Sequence, residues 1–388
     1  MPIAIVAGAL ANKPSSGGEA WVRLSWVLGL GRLGFDVYFV EEIGAAACVD
    51  ESGAAVDFED SVNRRHFAAV SSEFGLSDRA GLLYEGGRQH QGLGVEELRP
   101  LCANAELLVN ISGHLMGPLV DGPQTRVYVD LDPGFTQAWH TDEGLPFTVG
   151  GHDHHVTVGL NVGEPGCSIP AGGLNWIPTL PPVVLDEWPE KPIPDGQLIF
   201  TTVATWRSPY GRLEIGGKTM GLKHHEFRRL IELPERIEAA TFEIALDIHP
   251  GDSADLESLR AHGWKIVDPR EVAGTPAAFR DYVRGSGAEF SVAQGVYAES
   301  SSGWFSDRTA AYLACGRPAV VQDTGLTGPL AAPGAMVVFD SIARAAAGVE
   351  AVIERYDEHR RAARAFAEEH LDSDLVLGRV LERIGVGG

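Results

Sequence analysis

The chain has 388 residues, 44% of them hydrophobic and 22% charged, with eight tryptophans; that is apolar material for packed cores throughout, and two domains of roughly 180 residues each are expected. A formal charge of −22 and a pI near 4.9 would repel a phosphate backbone or an anionic lipid surface, which argues against nucleic acid and membrane partners. The four cysteines, Cys48, Cys102, Cys167 and Cys315, form no CxxC pair and fit reduced thiols in a cytoplasmic protein.

From the N-terminus, Ile3 to Gly8 reads as a buried strand at once, with no basic n-region before it and no later apolar run of the roughly 18 residues that span a bilayer. Further apolar runs at Asp36 to Glu42, Leu107 to Ser112 and Arg126 to Asp132 alternate with helical patterns, which means βα units and a mostly parallel sheet. Residues 1–180 are expected to form this first domain. Prolines crowd the stretch from Ile169 to Pro194, excluding a helix or a central strand, and residues 181–195 are read as the linker. A second set of runs follows at Leu198 to Val203, Phe242 to Ile248, Trp264 to Asp268, Ala288 to Ala293, Pro318 to Gln322 and Met336 to Phe339. They predict a second parallel sheet in residues 196–355. The stretch from Ile342 to Leu371 has apolar residues at helical spacing, and the helices of 356–388 are expected to pack back toward the first domain.

Gly29-Leu30-Gly31-Arg32-Leu33-Gly34 matches GxGxxG in form, but a helical stretch precedes it and a strand follows. A dinucleotide fingerprint needs the opposite order, so that the pyrophosphate meets a helix N-terminus; these glycines are read as a helix stop. Ser15-Ser16-Gly17-Gly18, by contrast, leads directly into a helix after the first strand. It is either an ordinary βα loop or a place where an acceptor sugar or alcohol approaches closely. The strongest local signal is Ser300-Ser301-Ser302-Gly303-Trp304-Phe305-Ser306-Asp307-Arg308, ahead of a short helix that ends at Cys315-Gly316. Small hydroxyl-bearing residues and a glycine stand there at a helix N-terminus, where unpaired N–H groups and the helix dipole favour a diphosphate; Ser306 is also a plain N-cap candidate.

The run from Gly303 to Arg308, continued by Ala311-Tyr312-Leu313-Ala314-Cys315-Gly316-Arg317-Pro318 and Gln322-Asp323-Thr324-Gly325, resembles the donor-binding region of GT-B glycosyltransferases, in particular a bacterial group distantly related to spore-maturation glycosyltransferases. Asp130-Leu131-Asp132-Pro133-Gly134-Phe135-Thr136-Gln137 and Gly172-Gly173-Leu174-Asn175-Trp176 look like that group's N-terminal motifs. The resemblance implies an α/β chain of two facing Rossmann-like domains with parallel sheets and a deep cleft between them. The C-terminal domain would bind a nucleotide-diphosphate sugar of UDP or TDP type as co-substrate, with no other cofactor and no metal. The N-terminal domain would bind a small-molecule acceptor such as a natural product, in a cytoplasmic monomer or homodimer.

Many such enzymes carry a glutamate at the position of Ala311, where it holds the ribose hydroxyls. Its absence leaves that role to Asp307, one turn earlier, or to some other group. In that arrangement Lys218 or Arg212, on the loop from Thr205 to Lys218, would neutralise the leaving diphosphate. Asp268 would face the base beside backbone groups, Ser301, Ser302, Gly303, Trp304, Phe305, Ser306 and Asp307 would line the diphosphate, and Asp323, Thr324 and Gly325 would meet the sugar. Inversion and retention both fit these residues; an inverting reaction needs a base for the acceptor proton, for which His114 is the first candidate and Asp132 the second. Gly17, Gly18 and His152 are placed beside the acceptor. His152-Asp153-His154-His155 lacks the partners of a metal site. A nucleotide-sugar epimerase or hydrolase, and a catalytically silent nucleotide-sugar-binding subunit, are the alternatives to a hexosyltransferase.

Overall fold

The computed structural model describes residues 1–141, 148–192, 196–208, 210–331 and 334–387; residues 193–195 of the expected linker and Pro209 in the loop after Thr205 lie outside them. The first half begins β1 (Ile3–Ala7), α1 (Gly17–Arg32), β2 (Asp36–Ile43), α2 (Val62–Glu73), β3 (Ala80–Tyr84), β4 (Gln89–Gly92) and α3 (Val95–Asn104). It continues β5 (Leu107–Ile111), β6 (Thr125–Asp130), α4 (Phe135–Thr141), β7 (His154–Thr157) and β8 (Trp176–Pro178). These strands form an eight-stranded sheet in the order β4-β3-β2-β1-β5-β6-β7-β8, parallel except where β4 turns back on β3. The interior strands β1, β5 and β6 were legible as apolar runs because a parallel strand is covered on both faces. The polar β4 and the short β7 and β8 carry no such run, and β8 with its Pro178 sits where proline is tolerated, at the sheet edge.

The second half begins β9 (Leu198–Thr205), the hairpin β10 (Glu214–Ile215) and β11 (Lys218–Thr219), α5 (Lys223–Arg229), β12 (Ala240–Asp247), α6 (Ser253–Ala261), β13 (Lys265–Val267), α7 (Pro269–Ala273) and α8 (Pro276–Gly285). It continues β14 (Ala288–Ser291), α9 (Gly295–Glu299), α10 (Asp307–Ala314), β15 (Ala319–Gln322) and β16 (Met336–Phe339), then α11 (Ile342–Glu354), α12 (Tyr356–His370) and α13 (Ser373–Ile384). Its six-stranded sheet runs β13-β12-β9-β14-β15-β16, all parallel. In both sheets the order reverses beside the first strand, and at such a switch point the loops leaving the strand ends part to leave a crevice.

The GxGxxG stretch belongs to α1 and its end. Gly29 lies against Leu377 of α13, and Gly34 at φ +92° stops the chain after the helix, the left-handed position glycine favours beyond a helix C-terminus. The helix α13 therefore packs on the first half of the chain, and Val183 ties it down: its N–H donates to Leu371 O and its carbonyl accepts from Ser373 N, both at 2.8 Å. A hydrophobic cluster is shared between the halves, with Trp21, Leu24 and Val129 from the first and Phe279, Phe305 and Ala311 from the second. Among the described residues no helix is long and apolar enough to cross a membrane.

Candidate functional site

Both crevices open on one interdomain cleft. On the first half, β6 ends at Asp130, a fully buried carboxylate. It accepts from Thr136 Oγ1 at 2.6 Å, Gln137 Nε2 at 2.8 Å, Thr157 Oγ1 at 2.7 Å and the backbone N–H of Asp132 at 2.9 Å. Those four donors compensate the burial of its charge and fix the turn that presents Asp132. The Asp132 carboxyl reaches across the cleft, where Tyr297 Oη donates to Oδ1 at 2.9 Å and Tyr210 Oη lies 3.4 Å from Oδ2. Burial, with Asp130 close by, pushes Asp132 up to about 6. His114 sits in the turn after β5 among Lys13, Glu19 and Arg23, and burial, with Arg23 and Lys13 adding to it, pulls it down to about 4. It is neutral near pH 7 and a poor proton acceptor there.

On the second half, Ser306 is the N-cap of α10 without a capping side-chain bond, and Asp307 is exposed in the first turn. The N–H groups of this turn lack the partners an inner helical residue has. Arg308, next in the turn, is committed elsewhere: it pairs with Glu289 Oε1 at 2.7 Å and donates to Val203 O and Ser291 Oγ, anchoring α10 to β9 and β14. Lys223 opens α5 at the end of the loop that leaves β9. Among the described residues its side chain has no hydrogen bond or ion pair, and burial, reinforced by Arg308, lowers it to about 8.

The loop from Ser301 to Gly303 is already occupied by the protein itself. Its N–H groups go to Ala298 O, Tyr297 O and Thr324 O, and its carbonyls accept from the first half: Ser302 O from Asn161 N at 3.0 Å, Gly303 O from Leu160 N at 3.4 Å, Ser301 O from Asn161 Nδ2 at 3.0 Å. Gly303 has φ +69°, and a Cβ there would stand 2.8 to 3.0 Å from Asn161. Its close approach is thus to the partner half of the chain. Asn161 Nδ2 also donates to Gly325 O, Thr324 Oγ1 donates to Trp304 O, and Asp323 accepts from Gly325 N. Trp304 stacks on Tyr297 at 4.6 Å, and Phe305 is buried toward Phe366. Gly17 and Gly18, too, serve the interface: a Cβ on Gly17 would fall 2.0 Å from Thr275 O, and one on Gly18 3.0 Å from the Phe279 ring.

The remaining expected site residues are scattered. Lys218 is ion-paired to Glu299 at 2.7 Å on the β10–β11 hairpin, and Arg212 is exposed just before that hairpin. His152 is buried within the first half, its Nε2 3.1 Å from Asn110 Nδ2 and its ring edge-on to Tyr128. No group of three or more His, Cys, Asp or Glu among the described residues could hold a metal ion. Asp268 accepts from Arg270 N, capping α7, and it lines an open cavity of about 680 Å³ with Thr205, Arg207, Asp247, His249 and Arg270. That volume, over the ends of β9, β12 and β13, is in the range that holds a nucleotide. An apolar interdomain cavity under Trp21, Trp188, Phe279 and Ala311 has only about 40 Å³, too little for one. Sequence reasoning missed Lys223, Tyr297, Tyr210 and Asn161. Lys223 was the one with a signal, as a cation at the start of the first helix after the second sheet's first strand.

Two parallel α/β sheets with their crevices turned on one cleft make up the GT-B architecture. No protein-family model and no curated protein matches the chain. Among solved structures it is similar to an alpha-glucosyltransferase in complex with UDP and a 13-mer DNA, at TM-score 0.60 and 13% identity over 99% of each chain. It is also similar to HepE of Anabaena in complex with UDP-glucose, at TM-score 0.58 and 10% identity over 99% of each, and to AviGT4, a glycosyltransferase involved in avilamycin A biosynthesis, at TM-score 0.55 and 13% identity over 99% of this chain and 97% of that one. At such identities the likeness is one of fold, and the fold is GT-B along the full chain.

Proposed function

We propose that the protein is a glycosyltransferase that moves a sugar from a UDP- or TDP-type nucleotide-diphosphate sugar to a small-molecule acceptor without a metal. The observation that carries the reading is the convergence, in one cleft, of Lys223, whose side chain has no hydrogen bond or ion pair among the described residues, and the N-terminus of α10, where Ser306 makes no side-chain cap, with Asp132 facing them from the other half. In this reading the base occupies the cavity beside Asp268, Lys223 and the first turn of α10 hold the diphosphate, and Asp307 holds the ribose in place of the glutamate missing at Ala311. The acceptor hydroxyl gives its proton to Asp132 as its oxygen bonds to the anomeric carbon, and the bond to the diphosphate breaks with its electron pair leaving on the nucleotide. Asp132, near 6, is better matched to that task than His114, near 4. The likeness to folds that hold UDP and UDP-glucose supports the donor class.

Calorimetry of the purified protein with UDP, TDP, GDP and ADP, without added metal, tests it. Tight binding of UDP or TDP that weakens about ten- to a hundredfold in Lys223→Ala and little in Lys218→Ala is expected, on the cost of losing one charge-assisted contact. Binding of none of the four would sink the donor assignment.

A further inference from the structure

Asp132 is held from two sides that belong to different halves of the chain. Its backbone is fixed by Asp130 on the first half, while its Oδ1 accepts from Tyr297 Oη at 2.9 Å on the second. Tyr297 is itself rigid. It is 3% exposed on α9, its ring is stacked on Trp304 at 4.6 Å and 28°, and its carbonyl accepts from both the backbone N–H and the Oγ of Ser302. Tyr210 approaches the other carboxyl oxygen only at 3.4 Å, which leaves Oδ2 the freer atom.

We propose that Tyr297 is a positioning residue that turns the Asp132 carboxyl so that Oδ2 faces the acceptor hydroxyl, and that it does so only while the two halves are together. The proposal rests on the reading of Asp132 as the base. The proton leaves the acceptor oxygen for Oδ2, and Tyr297 keeps its own proton throughout, because burial and the neighbouring Asp132 raise its hydroxyl well above the ordinary tyrosine value. Asp132 is faced by Asp130 and Tyr210 as well as Tyr297, and it feels Glu19 and Lys13 from the first half and Lys223 from the second. Of these, Tyr297 is the close donor to its charged form. Removing that donor while leaving the rest in place makes the carboxyl harder to ionise.

The test is Tyr297→Phe, which keeps the ring on Trp304, in protein labelled with carboxyl-¹³C aspartate, with Asp132→Asn identifying the signal. The Asp132 titration midpoint should rise by about one pH unit. With UDP-glucose as probe, the acid limb of UDP release should move the same way, with kcat lowered and KM little changed. An unmoved midpoint in folded Tyr297→Phe overturns the proposal and leaves UDP binding, and with it the donor reading, untouched; failure of the wild-type protein to bind nucleotide overturns that reading separately. Should Tyr297→Phe not fold, biosynthetic 3-fluorotyrosine in a Tyr210→Phe background supplies a stronger donor of nearly the same shape. The midpoint must then fall, and a midpoint that stays or rises overturns the proposal.

Discussion

Asp132 and His114 show how one cleft drives an acid and a base in opposite directions. Burial favours the neutral form of each, so the carboxyl rises to about 6 and the imidazole falls to about 4. A base works only when deprotonated, so turnover should climb as pH rises through about 6. Asp132→Asn should remove that limb and slow UDP release from UDP-glucose about a hundredfold or more, with UDP affinity held; an intact limb would move the role elsewhere. The same shift has a stability sign. A carboxyl raised on folding contributes below its unfolded value and loses that contribution as pH rises through its folded one, so Asp132→Asn should gain in thermal midpoint relative to wild type between about pH 4 and pH 6. Lys223 runs the other way, with its charge lost as pH rises through about 8. UDP affinity should therefore decline above that pH, and the decline should vanish in Lys223→Ala when titrated by calorimetry.

At the scale of elements, two helix N-termini face each other's domains with different duties. The α1 terminus is packed: Gly17 lies against Thr275 O, and Trp21 Nε1 donates to Pro276 O at 2.9 Å. The α10 terminus is open, with Asp307 exposed and Ser306 uncapped. Gly17→Ala should therefore cost about 2–4 kcal/mol in urea denaturation, because backbone must move to admit the methyl group. Gly34→Ala, where nothing lies within 4 Å of the added Cβ, should cost only about 1 kcal/mol from its positive φ. Equal costs would mean that α1 does not press on the second half as described.

The whole molecule is sewn across the cleft. Trp21 meets Trp188 at 4.9 Å, and Trp188 meets Phe279 at 6.2 Å, inside the cluster that also holds core residues of both sheets. A second shared cluster joins Tyr128, Phe135 and Trp176 to Ile215, Val296 and Tyr297. Differential scanning calorimetry should accordingly show one transition with equal calorimetric and van't Hoff enthalpies, and Trp188→Ala should lower its stability by about 3–5 kcal/mol while keeping it single. Two resolved transitions would show that the halves melt independently.

How much of this was legible follows from the range of each interaction. The two parallel α/β sheets were readable because buried parallel strands such as Ile3–Ala7 and Ala319–Gln322 announce themselves as apolar runs between helical stretches, whereas the GT-B layout rested on the resemblance of the Gly303 to Gly325 motifs; a helix stop at Gly34 depends only on local φ. The helix opening at Asp307 was equally local. What Gly17, Gly303 and Asn161 do was not legible, since the atoms they approach lie more than a hundred residues away, at Thr275, Asn161 itself and Ser301. The pairing of Lys218 with Glu299, the placing of Lys223 near Asp307 and Asp132, and the grip of Tyr297 on Asp132 are of the same kind. Composition and periodicity decide which face of a strand or helix is buried. Whether a charge is spent on a neighbour or left for a ligand depends on which distant side chain the packing of two sheets brings within 3 Å, and only the tertiary structure decides that.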